Sequence, residues 1–146
     1  MVAKHLAAER TRANAKAGIF NQQRSNEPAE DVELTGVAGE LACCKACNCW
    51  PDLTTEPRAG GFDLRTKDGK TMDVKTSPYL NADLLVTPNK ADKGTDRYAL
   101  VTGAVPNFNV IGYADAKEVF VKDNLADKGY GLSHTLSQEQ LHPFND

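Results

Sequence analysis

The chain has 146 residues, 40% of them hydrophobic and 25% charged, enough for one domain with a core of its own and cramped for two. No apolar run approaches the length of a membrane helix, and charge and proline content are too modest for wholesale disorder, so a soluble folded domain with no membrane partner is expected. The net charge of −3 hides a segregation: residues 1–24 carry five bases against Glu9 alone, whereas residues 25–63 carry eight acids against Lys45 and Arg58.

Residues 3–19 are rich in Ala, Lys and Arg, good helix formers with weak apolar periodicity. They predict a helix that is marginal when alone, ended or bent near Gly18, within a basic arm spanning residues 1–25. The arm suits an anionic partner or is simply a solvated helix, and its charge does not separate the two. The opening residues lead into Ala and Arg rather than an apolar block with a cleavage site, so a cytoplasmic location is expected. After Pro28, Val37, Leu41 and Cys44 recur at helical spacing, flanked by Leu34 and Ala38, and predict a second helix buried on one face. Gly36 and Gly39 each weaken it by roughly 1 kcal/mol relative to Ala, which points to close approach of a neighbouring backbone, expected to be a sheet. Asn48, Trp50 and Pro51 end it.

Residues 61–66 and 70–76 then read as two strands of a hairpin turning at Asp68-Gly69. A period of two sends Phe62, Leu64, Met72 and Val74 to a core, Asp63 to the face of Arg65, and Asp73 to the face of Lys75. Further on come the apolar run Leu84-Leu85-Val86, a loop with Pro88 and Gly94, and strands at residues 98–101 and 110–113. A short helix over residues 115–121 follows, with Asp115 as its cap, and then a tail in which Leu132, Leu136, Leu141 and Phe144 are loosely spaced. The expected fold is a mixed α/β (α+β) domain over residues 26–146, with a central mixed sheet of about five strands flanked by helices.

All four cysteines lie within residues 43–49, where bridges would close only tiny loops, so free thiols are expected. Cys44 and Cys47 have a metal-ligand spacing, and a zinc or iron–sulfur reading stands beside that of buried thiols. The thiol reading is preferred, because on a continuing helix Cys43 and Cys47 share a face, Cys44 points elsewhere, and no second Cys or His pair lies near to finish a tetrahedron. Trp50 reads as a core plug rather than a base-stacking platform. His5, His134 and His142 are scattered and read as surface residues, which disfavours histidine general-base catalysis.

The residues that carry chemistry are Glu40 on the second helix, Asp63 on the first hairpin strand, and Asp73 with Lys75 on the next. If the hairpin pairs through Asp68-Gly69, Asp63 comes within reach of Asp73, and a shared cation would hold the carboxylates together. Gathered hard oxygens suit Mg²⁺ or Mn²⁺, which keep several waters and accept phosphate oxygens as remaining ligands. A lysine beside such an ion would orient or help deprotonate an attacking water and offset charge developing on phosphorus. The rival reading is a salt-bridged hairpin on a solvated sheet face.

Asp63 followed ten residues later by Asp73-Val74-Lys75, with Gly36-Val37-Ala38-Gly39-Glu40-Leu41-Ala42 on the preceding helix, resembles the PD-(D/E)XK nuclease superfamily of restriction-endonuclease-like fold. The resemblance covers roughly residues 30–120, and the pattern looks most like compact members from phages and mobile elements. It implies Asp63 and Asp73 as metal ligands, Lys75 as the catalytic lysine, Glu40 completing the metal shell, and a contribution from the Val74 carbonyl. Phe62 stands where the nominal proline would be, and no long helix is predicted between the hairpin and the strand near Tyr98. The implied activity is divalent-metal-dependent hydrolysis of DNA phosphodiesters, endonucleolytic rather than exonucleolytic. Arg58, ahead of Gly60-Gly61, and Thr76, after Lys75, are candidate phosphate contacts, joined by the arm and by Lys67, Lys70, Lys90, Lys93 and Arg97. A chain this short leaves little room for a recognition domain, so a homodimer or a recruiting protein is expected to supply specificity. The alternative is a catalytically silent module that keeps the fold and acts on DNA or a partner protein.

Overall fold

The computed structural model describes residues 4–5, 8–9, 29–49, 62–129 and 131–144, with backbone alone for residues 29–33. The expectations placed on Arg58, Trp50, Gly60-Gly61 and most of the basic arm lie outside these residues, and residues 4–5 and 8–9 are helical. The helix predicted from Val37, Leu41 and Cys44 is α1, Ala29–Cys47. Val37 and Cys44 are buried and Leu41 packs against Val37, as the spacing requires. The helix ends in a left-handed cap at Asn48, with φ 52°. The Asn48 N–H donates to the Lys45 carbonyl at 3.3 Å and the Cys49 N–H to the Cys44 carbonyl at 3.0 Å, the paired bonds of a Schellman ending.

Among the described residues seven strands follow: β1 (Leu64–Arg65), β2 (Thr71–Ser77), β3 (Leu84–Val86), β4 (Arg97–Ala104), β5 (Asn107–Asp115), β6 (Leu125–Asp127) and β7 (Leu132–Leu136). They form two sheets rather than one of about five strands: a four-stranded mixed sheet ordered β1-β2-β4-β5, and a three-stranded sheet ordered β3-β7-β6. Among these described strands β2 and β4 run parallel, Asp73 opposite Tyr98 and Lys75 opposite Leu100, while the other pairs are antiparallel. The chain crosses from β2 to β4 through β3 and a 3-10 turn over Pro88–Lys93, so no long crossover helix is needed. The class is the expected mixture of α and β.

The core lies on both faces of the larger sheet because β4 is covered on both sides. Ala99 and Val101 pack with Leu64, Met72 and Val74 against Cys43 and Cys44 of α1. Tyr98 and Leu100 point the other way and pack with Leu84, Val86 and Leu136 of the smaller sheet and with Val119 of α2 (Ala116–Val119). Each fully buried large aliphatic among these contributes about 1.5–3 kcal/mol. The smaller sheet corrects two expectations. The tail is not loosely spaced apolar chain but contains β6 and β7, and His134 is not a surface residue: it lies in β7 between β3 and β6, buried, with its ring 5.0 Å from that of Phe120.

The hairpin forms around a turn closed by the Gly69 N–H donating to the Thr66 carbonyl at 2.9 Å, with Gly69 at φ 82°. The expected first strand shrinks to Leu64–Arg65, with the Asp63 N–H still donating to the Met72 carbonyl at 2.9 Å. Asp96 fastens the start of β2 to that of β4, accepting at Oδ2 from the Thr71 N–H at 2.9 Å.

Asp115 caps α2 in a capping box whose return bond runs from the Asp115 N–H to Glu118 at 2.8 Å. Glu118 also holds Nε2 of His142 at 2.8 Å, which ties the tail to the larger sheet beside the bridge between Tyr113 and His142. That bridge brings the His142 carbonyl so near Gly112 that a Cβ there would lie 2.5 Å from it. The Asp115 N–H, the first cause, and then His142 hold the Glu118 carboxyl below its ordinary range. Its contribution is therefore present above the unfolded pKa and lost as pH falls through the lower folded value. Glu118→Ala is expected to cost about 1 kcal/mol at pH 7 and much less at pH 3, measured as the difference in chemical denaturation midpoints between variant and parent.

Candidate functional site

Asp63 lies just ahead of β1, its N–H bonded to the carbonyl of Met72 and its carboxylate to the N–H of Val74, the two residues that flank Asp73 in β2. Alternation along β2 puts Asp73 and Lys75 on one face, while Met72, Val74 and Thr76 face α1. The Asp63 carboxylate reaches the backbone of Val74, the residue after Asp73, and the charge of Asp73 acts on it there. Lys75 forms an ion pair with Oδ2 of Asp73, the lysine side chain 32% exposed and the aspartate 8%. Oδ2 of Asp73 is buried and has no hydrogen-bond partner beyond this ion pair.

Asp63 is fixed by the backbone of the neighbouring strand: its Oδ2 accepts the Val74 N–H at 2.7 Å. A strand residue directs its N–H and its C=O to the same edge, so the Val74 carbonyl faces the side from which Asp63 approaches. Burial pushes the Asp63 carboxyl well above the ordinary range, the negative charges of Asp73 and then Glu40 push it further, and the Val74 N–H draws it part of the way back. For Lys75, burial alone would lower the pKa, but the carboxylates of Asp73 and Asp63 more than reverse this and hold it above the ordinary lysine value. Glu40 comes from the stripe of α1 that includes Cys43, and its charge is felt at Asp63.

Four of the sequence-derived residues, Glu40, Asp63, Asp73 and Lys75, thus belong to one electrostatic unit. Thr76 does not join them: its Oγ1 is buried beneath Gly39 on the opposite sheet face from Asp73 and Lys75. Ser77 uses its hydroxyl to accept the Tyr79 N–H at 3.3 Å and so turns the chain out of β2. Arg97 is committed to Asp115 at 3.1 Å and Asp68 at 3.4 Å and lies over the Tyr113 ring. Lys67, Lys70 and Lys93 remain exposed.

One neighbour was not legible beforehand. Tyr98 sits opposite Asp73 across the parallel pair, and burial first, then the Asp73 carboxylate against the opposing effects of Thr95 and Lys75, holds its hydroxyl above the ordinary tyrosine value. Its position depends on the β2–β4 register, for which the chain carries no local signal.

No family model matches the chain, and no curated protein matches it by sequence. The donors available to a hard cation are the carboxylates of Asp63 and Asp73, with the Glu40 carboxylate and the Val74 carbonyl as further oxygens. Among the described residues, no three His, Cys, Asp or Glu side chains are grouped so that together they could hold a metal ion. An aspartate pair fits the habit of Mg²⁺, which takes one or two protein carboxylates and leaves its other positions to water and phosphate.

Proposed function

We propose that the chain is a divalent-metal-dependent nuclease that hydrolyses DNA phosphodiester bonds, an endonuclease of the PD-(D/E)XK type. The observation that carries the reading is the juxtaposition of two acids, Asp63 bonded to the Val74 N–H and Asp73 next to Val74 in β2, with the Lys75 ammonium paired to Asp73. Two like-charged acids are costly to hold together unless a proton or a cation lies between them, and a stable fold has no need of such a pair. Asp63 and Asp73 would hold Mg²⁺ or Mn²⁺, with the Val74 carbonyl and Glu40 as supporting donors. When bound, the ion would polarise the scissile phosphate and lower the pKa of a bound water.

The chain's own groups then have separate tasks. The Val74 N–H keeps the Asp63 carboxylate aimed along the strand edge. Lys75, displaced from Asp73 by the ion, would orient the attacking water and balance the charge that grows on the phosphoryl oxygens. Lys67 and Lys70 on the hairpin turn are exposed and suited to contacting the phosphate backbone. A homodimer or a recruiting protein would supply sequence or structure preference.

The test is cleavage of supercoiled, linear, single-stranded and four-way-junction DNA with Mg²⁺ and Mn²⁺, by the parent and by Asp73→Ala and Lys75→Ala. Metal-dependent cleavage that falls about 100-fold or more in each variant is expected. Parent and variants alike on every substrate would sink the reading and favour a catalytically silent module acting on DNA or a partner protein. Circular dichroism of both variants separates loss of chemistry from loss of fold.

A further inference from the structure

The end of α1 holds a second reactive arrangement that the carboxylate site does not use. Cys43, Cys44, Cys47 and Cys49 are all free thiols, packed together where the helix meets the larger sheet. Cys43 is fully buried, with its Sγ 3.9 Å from Sγ of Cys47 and 4.0 Å from Sδ of Met72. Cys47 is partly exposed and is the last residue of the helix. We propose that Cys47 and Cys43 form a thiol–disulfide switch, in which Cys47 attacks a low-molecular-weight disulfide such as glutathione disulfide and Cys43 closes a Cys43–Cys47 bond.

The four thiols are not equivalent. Hydrogen bonds from Cys43 and Cys49, against the opposing effect of burial and with help from the Arg97 charge, lower the pKa of Cys47. The other three are raised: Cys43 chiefly by its hydrogen bond to Cys47 and by burial, Cys44 and Cys49 chiefly by burial. This is the division of labour that disulfide exchange requires, one accessible thiolate to attack and one buried thiol to resolve.

In the first step the Cys47 thiolate attacks one sulfur of glutathione disulfide. The glutathione S–S bond breaks, a Cys47–glutathione bond forms, and one glutathione thiolate leaves and takes a proton from water. Cys43 then gives up its proton to solvent, its sulfur bonds to Sγ of Cys47, and the second glutathione thiolate leaves. Two electrons pass from the cysteine pair to the glutathione disulfide, and two glutathione thiols are produced.

A disulfide needs its Cβ atoms about 3.5–4.5 Å apart, whereas residues four apart on a helix hold theirs about 5–6 Å apart. The bond therefore requires the last turn of α1 to tighten or unwind. That turn is the one free to do so, since the left-handed Asn48 already ends the helix directly after Cys47. A bond formed under this constraint belongs to the readily reduced, switching class. Its closure would pull on the helix turn that carries Glu40 and on Met72, the neighbour of Asp73 in β2. The inference stands on the thiols alone and does not depend on the nuclease reading.

The test is to incubate the full chain with glutathione disulfide, block remaining thiols with iodoacetamide, and map the products by mass spectrometry, trypsin cutting after Lys45 between the two cysteines. The expected product is one internal Cys43–Cys47 bond, with Cys44 and Cys49 alkylated, reversed by dithiothreitol. Cys43→Ala should stop at a glutathione adduct on Cys47, and Cys47→Ser should slow oxidation at least tenfold while keeping the parent's circular dichroism. First adducts at Cys44 or Cys49, or a Cys47→Ser variant oxidised as fast as the parent, would overturn the proposal.

Discussion

Replacing Asp63 with asparagine is expected to stabilise the metal-free protein at neutral pH and to erase its stabilisation by Mg²⁺. The folded state binds a proton at Asp63 more tightly than the unfolded chain does, because burial and the charges of Asp73 and Glu40 all oppose ionisation. Between the unfolded carboxyl value, about 3.9, and the raised folded value, stability therefore falls as pH increases, and above the folded value the whole penalty is present. Asparagine keeps an amide oxygen to accept the Val74 N–H and adds an N–H that Asp73 can accept, while removing the charge.

A gain of about 0.5–2 kcal/mol at pH 7 is expected, of the size commonly recovered when a functional site is relieved of its constraints. Near pH 4 the gain should shrink. In the parent, Mg²⁺ at ten times its dissociation constant should add about 1.4 kcal/mol, and in the variant almost none. Thermal melts from pH 4 to pH 8, with and without 10 mM Mg²⁺ (roughly a saturating dose for a site of the usual millimolar weakness), decide the matter. A variant that melts lower than the parent at pH 7 would mean that Asp63 supports the fold rather than burdening it.

The second large effect concerns two glycines of α1 that look alike in sequence and differ in the fold. A Cβ at Gly39 would overlap the Thr76 hydroxyl and lie 2.9 Å from its Cγ2, whereas a Cβ at Gly36 meets nothing within 4 Å. Thr76 is β-branched and sits on a strand held on its other side by β4, so it yields poorly. Gly39→Ala is therefore expected to cost about 1–3 kcal/mol through overpacking, even though alanine favours the helix. Gly36→Ala should instead stabilise by about 0.5–1 kcal/mol. Shortening the partner in a Gly39→Ala, Thr76→Ala double variant should recover much of the loss, and the coupling in that cycle is the measurement that counts. Equal effects at the two glycines would contradict the packing.

The close approach at Gly39 was legible in the sequence as a glycine in an otherwise good helix, but which of the two glycines needed it was not. The distinction is made by the helix's rotation over β2, a tertiary quantity. Asp63, Asp73 and Lys75 were legible for the opposite reason: a hairpin with an Asp-Gly turn fixes register locally, and a period of two fixes the face. Glu40 was placed by its helix, and its electrostatic link to Asp63 followed. Strand β7 was missed because its pattern is misleading. In Leu-Ser-His-Thr-Leu the first leucine is 57% exposed and three polar residues separate it from the buried Leu136, so a strand that buries Ser133 and His134 shows too few apolar residues to be recognised. Thr76 was misread because alternation was not carried one residue past Lys75, where it turns the hydroxyl toward α1.

The placement of β3 has an effect on how the domain comes into being. Its partner is β7, Leu84 facing Leu136 near the other end of the chain, whereas the β1–β2 hairpin is made from neighbours. Contacts that span so much chain close slowly, because loop entropy is lost before they stabilise anything. As the polypeptide leaves the ribosome, the aspartate hairpin can form early, while the cover over Tyr98 and Leu100 stays incomplete until β7 brings Leu136 against β3. The acids are thus brought together before the smaller sheet closes over the far face of β4.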